Sequence, residues 1–176
     1  MSKEKIRNYQ IFSIIFTFIL GSLLHFMYEL SGENQFVAVF SSINESVWEH
    51  LKLLYFPMLL TVIIGYFYIG KELENFLCAK TIGIIISMLF IVTFFYTYTG
   101  ILGKHIAFVD ISSFFVATVL GELVSYIFII NKLKCNKVIS LIVLISLLIC
   151  FIFFTYLIPD LGIFKEPVTS GICIKN

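Results

Sequence analysis

The stretch VISLIVLISLLICFIFFTYLI, residues 138–158, contains no Asp, Glu, Lys or Arg. Its length, about 20 residues, is what a helix needs to cross a ~30 Å hydrocarbon layer. Four further runs have a similar reach and are mostly apolar: Tyr9–Leu30, Asn44–Ile69, Phe76–Tyr98 and Ile106–Ile130. The connections between them are short and carry Gly, Lys, Asn and Glu, which suits loops at a membrane surface. The sequence therefore predicts an all-α integral membrane protein, a bundle of about five transmembrane helices in one domain over residues 1–176, ending in a short external tail from residue 159 to 176.

Composition requires the same solvent. A chain of 176 residues that is 60% hydrophobic and 13% charged, with mean hydropathy +1.02, has too little interior to hide its apolar surface from water. Its first partner is the lipid bilayer. A net charge of +1, without a basic cluster interleaved with aromatics, excludes nucleic acid. Cys78, Cys135, Cys150 and Cys173 show no CxxC spacing, and all four are expected to stay reduced, with no disulfide framework or zinc ribbon.

Lysine and arginine set the orientation. Lys3, Lys5 and Arg7 precede the first run, which is too long for a signal peptide and lacks a small-residue cleavage site. Lys71 and Lys80 flank the second connection, and Lys132, Lys134 and Lys137 fill the fourth. The first connection has neither Lys nor Arg, and the third has only Lys104. The positive-inside rule then puts the N-terminus in the cytoplasm and the C-terminus outside the cell membrane. Pro57 lies inside the second run, where it should kink the helix and leave the carbonyl near Leu53 without its usual donor.

The ionisable side chains within the runs are costly in lipid and gather at one end. His25 and Glu29 stand one turn apart on the first helix, and the second opens with NESVWEHLK, residues 44–52. At 100° per residue Glu45, Glu49 and Lys52 share a stripe with Trp48 beside it, while Ser46 and His50 face elsewhere. Asp110, after His105, adds a carboxylate at the same end. Glu122 lies about 18 Å deeper along the fourth helix, next to Gly121. Tyr96, Tyr98 and Thr99 are placed to close the ring.

Two readings of this cluster stand side by side. In the structural one, Glu49 pairs with Lys52, His25 pairs with Glu29, Ser42 or Asn44 caps the second helix, Trp48 is an interfacial anchor, and Glu122 makes a hydrogen bond at a close helix crossing or snorkels toward the cytoplasm. In the functional one, His25, Glu29, Glu45, Glu49 and His50 are ligands for a divalent metal ion such as zinc or manganese, or the set binds a polar solute or relays protons with Glu122 as the deeper station. No HExxH or GxSxG motif is present to name a reaction.

The run NESVWEHLK, together with HFMYELSG, Phe56-Pro57, YTYTGILG and VDISSFF, resembles a family of small multipass membrane proteins, mainly from clostridia and related Gram-positive bacteria, catalogued as a domain of unknown function. The resemblance implies that Asn44, Glu45, Trp48, Glu49, His50 and Lys52 belong to the family's signature, and it brings no activity. Three expectations follow: a binding or transport module for a cation or small polar solute, a metal-dependent membrane enzyme, or a structural or regulatory subunit acting through a membrane partner or a second copy. The orientation is testable by itself. A membrane-impermeant thiol reagent applied to intact cells should label Lys104→Cys and leave Lys134→Cys unlabelled; the reverse pattern would invert the topology.

Overall fold

A computed structural model describes residues 2–166, and among these every regular element is helical. Five helices are long and apolar enough to span a membrane: α1 (Lys3–Leu30), α3 (Val47–Tyr68), α4 (Phe76–Leu102), α5 (Ala107–Ile130) and α6 (Lys137–Tyr156). A short α2 (Gln35–Ala38) interrupts the first connection. Residues 167–176, which include Cys173 and the end of the expected tail, lie outside the described residues.

Where the helix limits differ from the hydropathy reading, caps account for it. α1 begins at Lys3, ahead of its apolar run, because the Ser2 hydroxyl accepts the Lys5 amide at 3.2 Å. α3 begins only at Val47: the cap is Ser46, whose hydroxyl accepts the Glu49 amide at 3.4 Å, and not Ser42 or Asn44. Asn44 instead accepts the Ser46 amide at 2.9 Å and shapes the turn before it. α4 runs past Tyr98 to Leu102, where Gly103 at φ +68° ends it with its amide donating to the Thr99 carbonyl at 2.8 Å.

Successive long helices run antiparallel, and the last of them, α6, packs on α4 and α3. Tyr9 near the start of α1 donates to the Thr61 carbonyl near the end of α3 at 2.6 Å, and Tyr55 of α3 donates to the Leu144 carbonyl of α6 at 2.6 Å. α3 continues through Pro57, whose missing amide cannot serve the Leu53 carbonyl. α1 packs against that carbonyl at Gly21, where a β-carbon would lie 2.6 Å from the oxygen. α4 and α5 approach backbone to backbone: a β-carbon on Gly83 would stand 2.5 Å from the Gly121 carbonyl oxygen, the small-residue contact that lets helices pack without a hydrophobic drive between them. The outward sides stay apolar, with Ile15, Ile19 and Leu23 of α1 and Ile142 and Ile149 of α6 more than half exposed.

The α4–α5 contact carries an ion pair that hydropathy hides. Lys80, assigned above to a loop flank, is fully buried one turn inside α4. Its ammonium contacts the two oxygens of Glu122 at 2.6 and 2.7 Å, and donates to Ser13 at 3.2 Å and to Gln10 at 3.3 Å, both on α1. Ser13 also donates to Glu122 at 2.6 Å, so three helices meet on one charge pair. Glu122 is therefore held in an ion pair and does not snorkel.

A second correction concerns thiols. Cys78, in the first turn of α4, is bonded to Cys135, in the α5–α6 connection, with their Cα atoms 6.2 Å apart. The partners are 57 positions apart in sequence, so no local spacing signals the bridge. Cys150 is free.

Removing one partner of a buried pair strands a charge in an apolar interior. Lys80→Met should lower stability by about 3–5 kcal/mol, and the double change Lys80→Met with Glu122→Leu should recover most of that loss. Denaturant unfolding in non-ionic detergent reads both; a double variant no better than the single would show that the pair is not the cause.

Candidate metal centre

The site is assembled by a stitched loop. The Ser41 hydroxyl donates to the Leu24 carbonyl and accepts the Tyr28 amide at 2.9 Å, inserting itself into the hydrogen-bond ladder of α1. Ser42 donates to the His25 carbonyl at 3.4 Å. The chain from Ser41 to Ser46 is thereby pinned along the last turns of α1, and Glu45, just before α3, is set beside His25.

His25 Nε2 lies 3.6 Å from Glu45 Oε1, and His50 Nε2 lies 3.4 Å from Glu45 Oε2. One ligand atom from each of His25, Glu45 and His50 falls within 4.8 Å of the other two. His50 is also oriented from behind: its Nδ1 is 2.9 Å from the Ser46 carbonyl, which can only accept, so Nδ1 carries a proton and Nε2 is the nitrogen turned to Glu45. A lone pair and a carboxylate facing each other repel unless a proton or a metal cation lies between them. The interaction with His25 outweighs the opposing effect of burial and holds the Glu45 carboxyl below the usual range, so it is ionised at neutral pH.

The other residues expected here are placed elsewhere. Glu49 and Lys52 do pair, at 2.6 Å and buried, but in the bundle interior. Lys52 donates to the Ala38 carbonyl at 2.8 Å and to Thr155 of α6 at 3.2 Å, and Glu49 accepts the Ile43 amide at 3.0 Å. This pair fastens the first connection and α6 to α3 and leaves neither group turned to the histidines. Glu45 does not share their stripe, because it precedes the helix. Glu29 is exposed and makes no pair with His25, whose ring turns to Glu45. Trp48 is packed among Phe151, Phe154 and Phe164, with ring centroids 4.7–5.5 Å away and a buried indole nitrogen, which corrects its reading as an interfacial anchor.

Opposite the three-residue group stands a second one. His105 Nδ1 lies 3.4 Å from Asp110 Oδ2, and Tyr98 donates to the other Asp110 oxygen. Tyr98 thus joins the ring as expected. Thr99 bonds within its own helix, and Tyr96 is exposed. Both groups line one cavity of about 420 Å³ between the ends of α1, α3, α4 and α5, within the range of small-ligand sites. All three histidines of the chain, His25, His50 and His105, face it. Nothing in the sequence marks His105 as a ligand or partner; its five-residue spacing from Asp110 is unremarkable until the Gly103 turn folds it back.

The fold and site define a class: an all-helical chain with five potential membrane spans and, at one end, a histidine–carboxylate cavity. Over residues 1–174 the chain matches the model of a family of unknown function, DUF6512, and it belongs to that family. No curated protein and no solved structure matches it.

The two acidic residues four apart should behave oppositely. Glu49→Gln leaves Lys52 unpaired in the interior and should cost about 3–5 kcal/mol of stability, whereas Glu45→Gln, at a half-exposed side chain, should change it by less than about 1 kcal/mol. Unfolding of both variants in detergent checks the contrast; equal losses would contradict the division.

Proposed function

We propose that this is a multipass membrane protein whose cavity binds a divalent transition-metal ion, zinc or manganese, through His25, Glu45 and His50. The observation that carries the reading is the convergence of three ligand atoms within 4.8 Å of one another, drawn from α1, the loop and α3. Ligands held about 2.0–2.2 Å from zinc in a tetrahedron lie a little over 3 Å apart, so the three ligand atoms here, within 4.8 Å of one another, would draw closer around an ion. Imidazole and carboxylate suit zinc and manganese, and the carbonyl behind His50 is the kind of outer partner that fixes a ligand ring.

Glu29 and Glu49 drop out of the proposed ligand set. The structural role weighed for the whole cluster belongs instead to Glu49–Lys52 and Lys80–Glu122, whose hydrogen-bonding capacity is used within the bundle. Three protein ligands beside a cavity resemble a catalytic metal site more than a closed structural one. His105, oriented by Asp110 across the same cavity, favours the metal-dependent enzyme as the second reading, with His105 as the proton acceptor.

For orientation, the cation asymmetry supports an N-terminus in the cytoplasm even with Lys80 discounted. Lys3, Lys5, Arg7, Lys71, Lys132, Lys134 and Lys137 lie at the end away from the cavity, against Lys104 and Lys165 near it. The cavity would then face outward. The Cys78–Cys135 bridge argues the other way, because cytoplasmic thiols are kept reduced, and thiol labelling separates the two orientations.

Purified protein titrated with zinc or manganese should take up about one ion per chain by calorimetry and elemental analysis. His50→Ala and Glu45→Gln should weaken binding by more than the ~10–100-fold typical of outer-shell changes, while Glu29→Gln should bind like the parent. No uptake by the parent, or undiminished uptake by His50→Ala, would overturn the site.

A further inference from the structure

The lining of the cavity is divided. His25, Glu45, His50, His105 and Asp110 supply its polar groups, and the rest is chiefly hydrocarbon: Phe26, Leu53, Ile91, Phe95, Ile111 and Phe114. A site for a free metal ion or a small hydrophilic solute has no use for that apolar area, since such a ligand leaves it uncovered and wet.

The position of the apolar part shows where a ligand enters. Phe26 on α1 and Ile111 on α5 are both 58% exposed and both line the cavity, so its rim runs between the ends of these two helices. Both belong to helices apolar enough to sit in lipid. The opposite direction is shut. The Phe114 ring fills the space over Gly21, where a β-carbon would lie 2.6 Å from Cζ, and Phe18 packs on Phe114 and Phe115 with centroids 6.1 and 5.3 Å away. This layer separates the cavity from the Lys80–Glu122 pair, which uses its own hydrogen bonds fully. The geometry is that of a blind pocket with a side door and not of a conduit.

Charge selects the head group. A divalent ion held by two neutral imidazoles and one carboxylate would retain a net positive charge beside the cavity, so an anionic oxygen is the complementary ligand. His105, oriented by Asp110, lines the same cavity.

We infer that the cavity holds a membrane amphiphile: an anionic phosphate or carboxylate head group on the metal bound by His25, Glu45 and His50, with its hydrocarbon chain leaving between α1 and α5 past Phe26 and Ile111. The inference rests on the metal site proposed above and names the class of ligand for it.

The test uses the full chain in non-ionic detergent, loaded with zinc, with dodecyl phosphate and laurate as probes and inorganic phosphate and acetate as their chainless counterparts. Each amphiphile should raise the thermal midpoint and bind on the order of 100-fold more tightly than its counterpart, because several methylenes leave water. Ile111→Trp, a change at an exposed rim position, should abolish that advantage while zinc still binds with parental affinity, which also reports that the variant is folded. Chainless anions that stabilise as well as the amphiphiles, or an advantage that persists in Ile111→Trp, would overturn the inference and leave the metal site standing. Failure of the parent to bind zinc would remove the metal site and, with it, the anchoring of the head group.

Discussion

A lysine and a glutamate that share an apolar interior must face each other closely, because either charge alone would cost several kcal/mol to keep there. Lys80 and Glu122 impose that condition on α4 and α5, and Ser13 and Gln10 extend it to α1. The contact fixes depth and rotation together. Gly83 and Gly121 remove the side chains that would otherwise hold the two backbones apart, so the pair can close. On α1 the i, i+4 ridge through the buried Ser13, Thr17 and Gly21 winds by about 40° at each step to His25, about 18 Å along the axis from Ser13. Anchoring Ser13 on Glu122 thus turns His25 toward α3.

The polar residues divide by whether their capacity is spent. Glu49 and Lys52 bind each other, two backbone groups and Thr155, and they are closed to a ligand. His25, Glu45 and His50 bring two ring nitrogens and a carboxylate to a common point, where a proton or a cation can bridge them. Residues separated by a single helical turn in NESVWEHLK therefore serve opposite purposes. Ser46 starts α3 after Glu45 has gone to one side of it, and Glu49, within the first turn, goes to the other. The cap is what separates them.

The cavity joins this polar point to the exposed apolar faces of the helices. Its apolar lining and its rim between α1 and α5 belong to the same helices whose outer faces carry Ile15, Ile19 and Ile111.

Five helices long and apolar enough to span a membrane, their approximate limits and the gathering of His25, Glu45, His50 and Asp110 near one end were legible in the sequence, because length and hydropathy are local properties and the alternation of short loops assigns each residue a depth. Rotation about the helix axes was not. Whether His25 turned to Glu29 or to Glu45 depended on Ser41 entering the ladder of α1, and Lys80 read as a loop flank because its compensating charge lies 42 residues away on α5. The Cys78–Cys135 bridge and the return of His105 to the cavity were hidden for the same reason. Sequence determined which residues share a depth in the bundle; only tertiary packing decided which of them touch, because that choice is made by contacts between helices that no local pattern encodes.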